Sequence, residues 1–339
     1  MRIYLMRHGE PDFPGGKPLC LGSTNLPLST LGRLQAALLA LELSERVDAV
    51  YSSPLERALQ TAQPFALPIL VLGGLREQAA GDWEGLGFDE IRERWPELYA
   101  LRGETPFLPI PGAEAEDIVK ARFASAVASM KPSDVGCAAA THAGAIRLYL
   151  ESLGLPGVKI PYGSYVELER GKSVSVEAVG VLPHPELTED RCLALLKAAG
   201  CPEGTVRHSA AVAAVAVEIA RRMRLNVPLV RRSALLHDIA RALPGHAEIG
   251  AEWLESLGYP DEAAIVRLHN DHSGEVFDNA AAVFLADKLV MGAKQCTLAE
   301  RFAASEDKCS TPPAMAAHVR RQAAAQNLMS LYMKRGNRI

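Results

Sequence analysis

The sequence predicts two architectures in tandem: an α/β three-layer sandwich with a mostly parallel sheet, then an all-α domain. Three observations carry that expectation. Short apolar runs alternate with helix-spaced segments over roughly the first 180 residues. A proline-bearing stretch without periodicity, Val181 to Leu187, comes next. Beyond it nearly every segment repeats its apolar residues at helical spacing. A chain of 339 residues is long enough for two cores. The expected division is 1–182, a linker at 183–189, and 190–339.

Arg2 to Met6 is a short apolar run of the kind found in a buried strand. Leucines and alanines at helical spacing predict a helix over Thr30 to Leu43, with Ser29 or Thr30 as its N-cap. A second strand is expected at Val47 to Tyr51, then a helix from Pro54 to about Pro64. Gly136 to Thr141 reads as a third strand, with a helix from about Ala143. This alternation favours a parallel sheet covered by helices. Ser164 to Arg170 and Ser173 to Val179 read as a closing hairpin around Gly171 and Lys172. After the linker, helices are expected over Asp190–Ala199, His208–Met223, Val227–Ala242, Ala247–Leu257, Asp261–His269, Ala280–Met291 and Pro313–Lys334, with no strong strand.

Composition narrows the function classes. With 48% hydrophobic and 22% charged residues the chain reads as globular, and a net charge of -4 gives no electrostatic reason to expect a nucleic-acid partner. Apolar stretches such as Ala210 to Ala220 are too short to span a bilayer, and Met1 runs straight into a charged motif without an apolar leader core. A cytoplasmic protein without a membrane partner is expected. The six cysteines are scattered and read as free thiols. Nothing in the sequence specifies an oligomeric state.

Arg7, His8, Gly9 and Glu10 follow directly on the first predicted strand, and parallel sheets bind ligands beyond the carboxyl ends of their strands. A histidine there can aim one ring nitrogen at a ligand, and an arginine offers planar donors to phosphate oxygens. Gly9 permits a close backbone approach to the ligand. The same arrangement recurs twice: Ser52–Ala58 supplies Arg57 after the second strand, and Thr141–Gly144 supplies His142 after the third. Glu77 is a candidate proton donor, with Glu84 of the same loop as the alternative, while Asp82 and Trp83 read as loop packing.

RHGE, GSTNLPLSTLGRLQA, YSSPLERALQTA, LREQAAGDWEG and THAG occur in this order, and over roughly the first 180 residues the chain resembles the histidine phosphatase, or phosphoglycerate-mutase-like, superfamily. The resemblance implies that His8 attacks phosphorus and forms a phosphohistidine. It further implies that Arg7, Arg57 and His142 hold the equatorial oxygens, and that Glu77 serves as acid and then base. Ser23 is a further candidate phosphate contact. Pro11 stands where the family usually has threonine or another polar residue, so substrate contacts from the DFPGGKP loop do not transfer. The short stretch between Glu77 and His142 resembles the phosphatase branch that includes α-ribazole phosphatase and broad-specificity phosphatases. That favours hydrolysis of a small phosphomonoester over a phosphoglycerate-type mutase.

In the second half His208 is expected to open a helix, His237 and Asp238 to sit together on another, and Asp287 to lie on an apolar helix where a buried carboxylate needs a partner. This H…HD…D order, with HSAAVA, ALLHDIAR and ADKL around it, resembles the HD phosphohydrolase superfamily. Imidazoles with carboxylates suit a divalent transition metal such as iron, manganese, zinc or cobalt. The resemblance implies one ion on His208, His237, Asp238 and Asp287, and a second sharing Asp238 and adding His246 and His269. Such ions would activate water and neutralise charge in hydrolysis of a nucleotide or related phosphate ester. A non-catalytic, nucleotide-binding regulatory domain is the alternative. His272 is a spare ligand, His184 and His318 read as surface residues, and Arg231 and Arg232 as solvent-facing.

Overall fold

In the computed structural model, which describes residues 1–104, 109–307 and 309–336, the chain divides into two compact units, Met1–Pro185 and Glu186–Ile339. The first unit contains β1 (Arg2–Arg7), α1 (Thr30–Leu43), β2 (Ala49–Ser52), α2 (Glu56–Ala62), β3 (Ile69–Val71), α3 (Phe88–Arg94), α4 (Pro96–Glu104), α5 (Glu116–Ser129), β4 (Cys137–Thr141), α6 (Ala143–Ser152), β5 (Tyr165–Arg170) and β6 (Val174–Val181). Its six strands run in the order β3-β2-β4-β1-β5-β6. The first four pair in parallel, whereas β5 and β6 join antiparallel.

Strand periodicity of two explains the layers. Ile3 and Leu5 of β1, with Cys137 and Ala139 of β4, pack against Val119 and Phe123 of α5 and Ile146 and Leu150 of α6. Their alternates Tyr4, Met6, Ala138 and Ala140 share the other core with Leu39 and Leu43 of α1 and Ala58 and Ala62 of α2. Strands buried on both faces read as continuous apolar runs, and CAAAT of β4 is buried throughout. This is the expected three-layer sandwich. The second strand lies two residues later than predicted at its start, and β3 and α3–α5 had no forecast.

The second unit is helical: α7 (Glu189–Ala198), α8 (Glu203–Met223), α9 (Val227–Leu236), α10 (His246–Ser256), α11 (Pro260–Leu268) and α12 (Asn279–Lys288), then a short hairpin of β7 (Val290–Met291) and β8 (Lys294–Gln295), then α13 (Leu298–Glu306) and α14 (Pro312–Gly336). Ala280 to Lys288 of α12 are buried without interruption, so this is the unit's central helix.

Three expectations are corrected here. First, α8 starts at Glu203, which places His208 in its second turn instead of at its start. Second, α9 ends at Leu236, with His237 as its C-cap, because the Ile239 and Arg241 amides turn to the carbonyls three residues back. His237 and Asp238 therefore stand at a helix end and can converge. Third, α12 stops at Lys288, and Gly292 at a φ of 61° turns the hairpin that a longer helix would have displaced.

Candidate functional site

The first cluster stands at the carboxyl ends of three neighbouring strands, β2, β4 and β1. His8 follows β1, and its amide bonds the Thr141 carbonyl at 2.9 Å, joining the two strand ends. His142 is the N-cap of α6, and the two imidazoles meet edge-on with centroids 5.1 Å apart. Arg57, in the first turn of α2, is wholly buried. Its guanidinium donates to the Thr24 carbonyl at 2.6 Å, the Gly22 carbonyl at 2.9 Å and His8 Nε2 at 3.2 Å.

These partners fix the tautomer of His8. A carbonyl only accepts and a guanidinium only donates. His8 Nδ1–H therefore donates to the Gly9 carbonyl at 2.7 Å, and Nε2 carries the lone pair. Burial, then the charges of Arg57 and Arg7, keep the His8 pKa well below that of a free imidazole. His142 is likewise lowered by burial, then by His8 and Arg57. Its Nε2 meets Ser53 Oγ at 2.8 Å, while its Nδ1 is buried without a partner.

Arg7 donates to the Ile160 carbonyl at 2.6 Å and lies 3.5 Å over the ring of Tyr162, which also stands 5.6 Å from His8. Its Nε is buried and unpartnered, a donor left for an anion. Gly9 serves packing: a Cβ there would stand 2.2 Å from the Gly32 carbonyl oxygen of α1, so the bare backbone seats the RHGE loop on that helix. The close approach expected to a ligand is thus an approach to α1.

The two candidate carboxylates differ in geometry. Glu84 accepts from the Gly22, Ser23, Thr24 and Ala80 amides and from the Thr24 hydroxyl. Although burial raises its pKa, the Thr24 hydroxyl and then these amides outweigh that and bring it to about 2. Glu84 thus clamps the loop whose Gly22 and Thr24 carbonyls hold Arg57. Ser23 is carried on this loop with its side chain exposed. Glu77 instead accepts from the Gly144 and Ala145 amides at 3.0 and 2.8 Å, at the first turn of α6 beside His142. Its charge is felt by both Arg7 and Arg57.

Two expected results follow. Because the Glu84 pKa is depressed in the fold, its stabilisation is complete above the unfolded value near 4.5 and is lost as pH falls toward about 2. Glu84→Gln should cost about 1–3 kcal/mol at neutral pH. In thermal unfolding, the gap between wild type and variant should close as pH is lowered through that window. A constant gap would mean that the clamp does not depend on ionised Glu84. Gly144→Ala would put a Cβ 2.5 Å from Glu77 Oε1. Displacing that carboxylate should slow phosphatase turnover by roughly a hundredfold, read in steady-state assays. Unaltered turnover would remove Glu77 from the site.

The second cluster collects His208 from α8, His237 and Asp238 from the end of α9, His246 from the start of α10, His269 after α11, and Asp287 from α12. Ligand atoms of His208, His237 and Asp287 lie within 4.8 Å of one another, as do those of His237, Asp238 and His269. His246 Nε2 is 3.3 Å from Asp238 Oδ1 and also meets Asn270 Nδ2 at 2.9 Å. His237 is common to both groups, where the sequence pointed to Asp238.

The backbone orients three of the rings. The Nδ1–H groups of His208, His237 and His269 donate to the Gly292, Ala234 and Val266 carbonyls at 2.8, 2.7 and 2.6 Å. The Nε2 atoms of His237 and His269 are left as lone pairs facing the cluster, the backbone-tethered arrangement that metal-binding imidazoles adopt, while His208 Nε2 stands 3.1 Å from Asp287 Oδ1. His237 Nε2, His269 Nε2 and Asp238 Oδ1 are buried without a hydrogen-bond partner. Acceptors orphaned together fit a cation. A cleft of about 230 Å³ opens onto His208, Asp238 and Asp287, and Arg241 and Arg301 also line it.

Other residues fall elsewhere. His272 accepts from the Gly274 amide and faces Asp278, in neither group. His184 is exposed as expected, whereas His318 is buried against Phe302 and Ser305 because α14 turns that face inward. Arg231 is exposed beside Glu189, but Arg232 pairs at 2.7 Å with buried Glu262. Tyr162, Ser53, Lys288 and Arg301 had no assigned role from sequence, although Ser53 lies within the SSPLER motif.

Strand-end imidazoles and buried guanidiniums in one unit, with a histidine–carboxylate cluster in the other, define a phosphoric ester hydrolase. The chain belongs to the histidine phosphatase superfamily (branch 1), matched over residues 3–175, and residues 205–292 match the HD domain, which implies a divalent metal. It is 33% identical over 160 residues to phosphoglycerate mutase-like protein 4 of Arabidopsis thaliana, covering 44% of this chain and 69% of that protein. It is 36% identical over 112 residues to phosphoserine phosphatase 1 of Hydrogenobacter thermophilus, covering 31% of this chain and about half, 52%, of that enzyme. The solved mycobacterial glucosyl-3-phosphoglycerate phosphatase is 26% identical, covers 53% of this chain and 98% of its own, and superposes with a TM-score of 0.47. Among the described residues no helix is long and apolar enough to cross a membrane.

Proposed function

We propose that the chain is a bifunctional phosphohydrolase, with a metal-independent phosphomonoesterase in the first unit and a metal-dependent phosphohydrolase in the second. The observation that carries the first activity is the fixed tautomer of His8, whose Nε2 lone pair stands against Arg57 while Nδ1 is tied to a carbonyl.

A small phosphomonoester dianion would sit between Arg7, Arg57 and His142, whose donors take its equatorial oxygens. His8 Nε2 attacks phosphorus as the ester P–O bond breaks, and Glu77 supplies the proton to the leaving alcohol. Water then attacks the phosphohistidine, Glu77 takes its proton, and the N–P bond returns its electrons to His8 as phosphate leaves. No further reactant is consumed. Glu84, held ionised by its donors, positions Arg57 through the loop at Gly22–Thr24.

In the second unit, His208, His237, Asp238 and Asp287 would hold one divalent transition metal, and His269 and His246 would extend the set around Asp238 for a second. The bound metal would activate water and neutralise charge on a phosphate ester. The backbone carbonyls at Gly292, Ala234 and Val266 orient the imidazoles for it. The testing experiment is one substrate panel of phosphomonoesters and nucleotides, run with and without added metal on wild type, His8→Ala and Asp238→Ala. Two separable losses are expected. Hydrolysis of every substrate surviving both substitutions would sink the reading.

A further inference from the structure

Glu77 is held from two sides. Its carboxylate accepts from the Gly144 and Ala145 amides of α6, and its backbone belongs to a loop that leans on α5. Gly74 permits that approach, because a Cβ there would stand 2.5 Å from the Arg122 carbonyl oxygen of α5. Arg122 lies in the second turn of α5 with its side chain largely buried.

One guanidinium takes three carbonyls of this loop. Arg122 Nη1 donates to the Gly74 and Arg76 carbonyls at 2.8 and 2.7 Å, and Nη2 donates to the Glu77 carbonyl at 3.0 Å. The Leu75 carbonyl between them accepts from Thr141 Oγ1 at 2.7 Å, one residue before His142. Consecutive carbonyls from Gly74 to Glu77 are thus all bound by side chains. Arg122 Nε and Nη2 also donate in a fork to Glu114 Oε1 and Oε2, each at 2.8 Å. That fork, outweighing burial, keeps the Glu114 carboxyl below the usual carboxylate range. Glu114 in turn secures the far end of the loop. Its amide donates to the Ala79 carbonyl at 3.1 Å, and its carbonyl accepts from Gln78 Nε2 at 2.7 Å.

A guanidinium carries five N–H donors in a rigid plane. Here every one is spent on the Glu77 loop or on Glu114, so Arg122 keeps none for a phosphate. A proton donor acts only within hydrogen-bond reach of the oxygen it serves. Building on Glu77 as the proton donor of the proposed reaction, we propose that Arg122, together with Glu114, is a positioning residue for Glu77 and thereby sets which leaving groups the first unit releases. As the ester P–O bond breaks, its electrons pass to the leaving oxygen, and Glu77 delivers its proton there. An acidic phenol can leave as its anion, whereas an alkyl alcohol depends on that proton. With Arg122 in place, the unit turns over alkyl phosphomonoesters as well as activated aryl ones.

The test compares kcat/KM of the full chain, without added metal, for glycerol 2-phosphate and p-nitrophenyl phosphate. This constant reports the steps up to formation of the phosphohistidine, where the leaving group departs. The variants are Glu77→Gln, Arg122→Gln, Glu114→Gln and the double variant Glu77→Gln with Arg122→Gln, with circular dichroism as the check on folding. Glu77→Gln should lower the alkyl value by roughly a hundredfold or more and the aryl value far less. Arg122→Gln should repeat that pattern, with a fall at least roughly tenfold larger on the alkyl substrate. Glu114→Gln should follow it, and takes its place in both comparisons should Arg122→Gln not fold. In the double variant, loss of Arg122 should add less than about twofold on the alkyl substrate, because the acid it positions is already gone. A merely structural lesion would lower both substrates alike and would add in full to Glu77→Gln. Equal falls on the two substrates in the folded variant, or full additivity in the double variant, overturn the positioning role alone. Equal falls in Glu77→Gln itself would overturn Glu77 as the proton donor, and the positioning role with it.

Discussion

His8→Ala is expected to lower metal-free phosphomonoester hydrolysis by roughly a thousandfold or more, since removing a nucleophile removes the covalent route itself. The other imidazole is poorly placed to substitute: His142 has Nε2 on Ser53 and is buried completely. An acid-labile phosphoryl label should be trapped on wild type by rapid quenching and be absent from the variant. The pH dependence follows from the same geometry. Burial, then Arg57 and Arg7, lower the His8 pKa well below 6.5. A lowered value keeps Nε2 unprotonated as the medium is acidified through 6.5. Corrected for the substrate's own ionisation, kcat/KM should therefore hold its plateau below that pH. An acid limb centred at or above 6.5, or a variant that still accumulates the label, would remove His8 as the nucleophile.

Much of the first site was legible because its chemistry is written in linear motifs placed at strand ends. Arg7-His8, Ser53 to Arg57 and His142 each follow a strand of the parallel sheet, and the pairing order β2-β4-β1 makes those ends neighbours. The preference for Glu77 over Glu84 came from the resemblance alone, since both lie in one loop and differ only in what reaches them across space. The role of Gly9 was not legible, because the atom it spares belongs to Gly32. In the second unit the residue types were readable and their backbone setting was not. His237 and Asp238 were expected inside a helix, whereas position 237 is a helix end. The α13 helix carried a signal that went unread: Thr297 and Glu300 form a reciprocal capping box, a start signal visible as T-x-x-E. With that helix missed, Arg301 had no place in the reading, although it lines the cleft at the cluster. His318 was misread because α14 is alanine-rich and offers no strong contrast between its faces.

The second large effect concerns Asp238, whose substitution by alanine is expected to weaken metal retention by at least roughly tenfold. Its Oδ1 stands 3.3 Å from His246 and 3.6 Å from His269, and its Oδ2 3.5 Å from His237. It is thus the carboxylate around which three imidazoles gather. Although burial opposes it, the neighbouring imidazoles, His237 first, hold its pKa far below the usual carboxylate range, so it remains an anionic ligand through the physiological range. Without it, His237 and His269 would offer lone pairs to a cation with Asp287 as the cluster's remaining carboxylate. Elemental analysis after exhaustive dialysis should show less metal per chain in Asp238→Ala than in wild type. A ligand that binds only the folded chain stabilises it, by about 2.7 kcal/mol when present at a hundred times its Kd. Added manganese or zinc should therefore raise the thermal midpoint of wild type and leave that of the variant nearly fixed. Wild-type metal content with no metal-dependent hydrolysis of any nucleotide would favour a binding module over an enzyme in this unit. Full metal retention by Asp238→Ala would remove Asp238 from the ligand set and leave His208, His237 and Asp287 as the group that holds the ion.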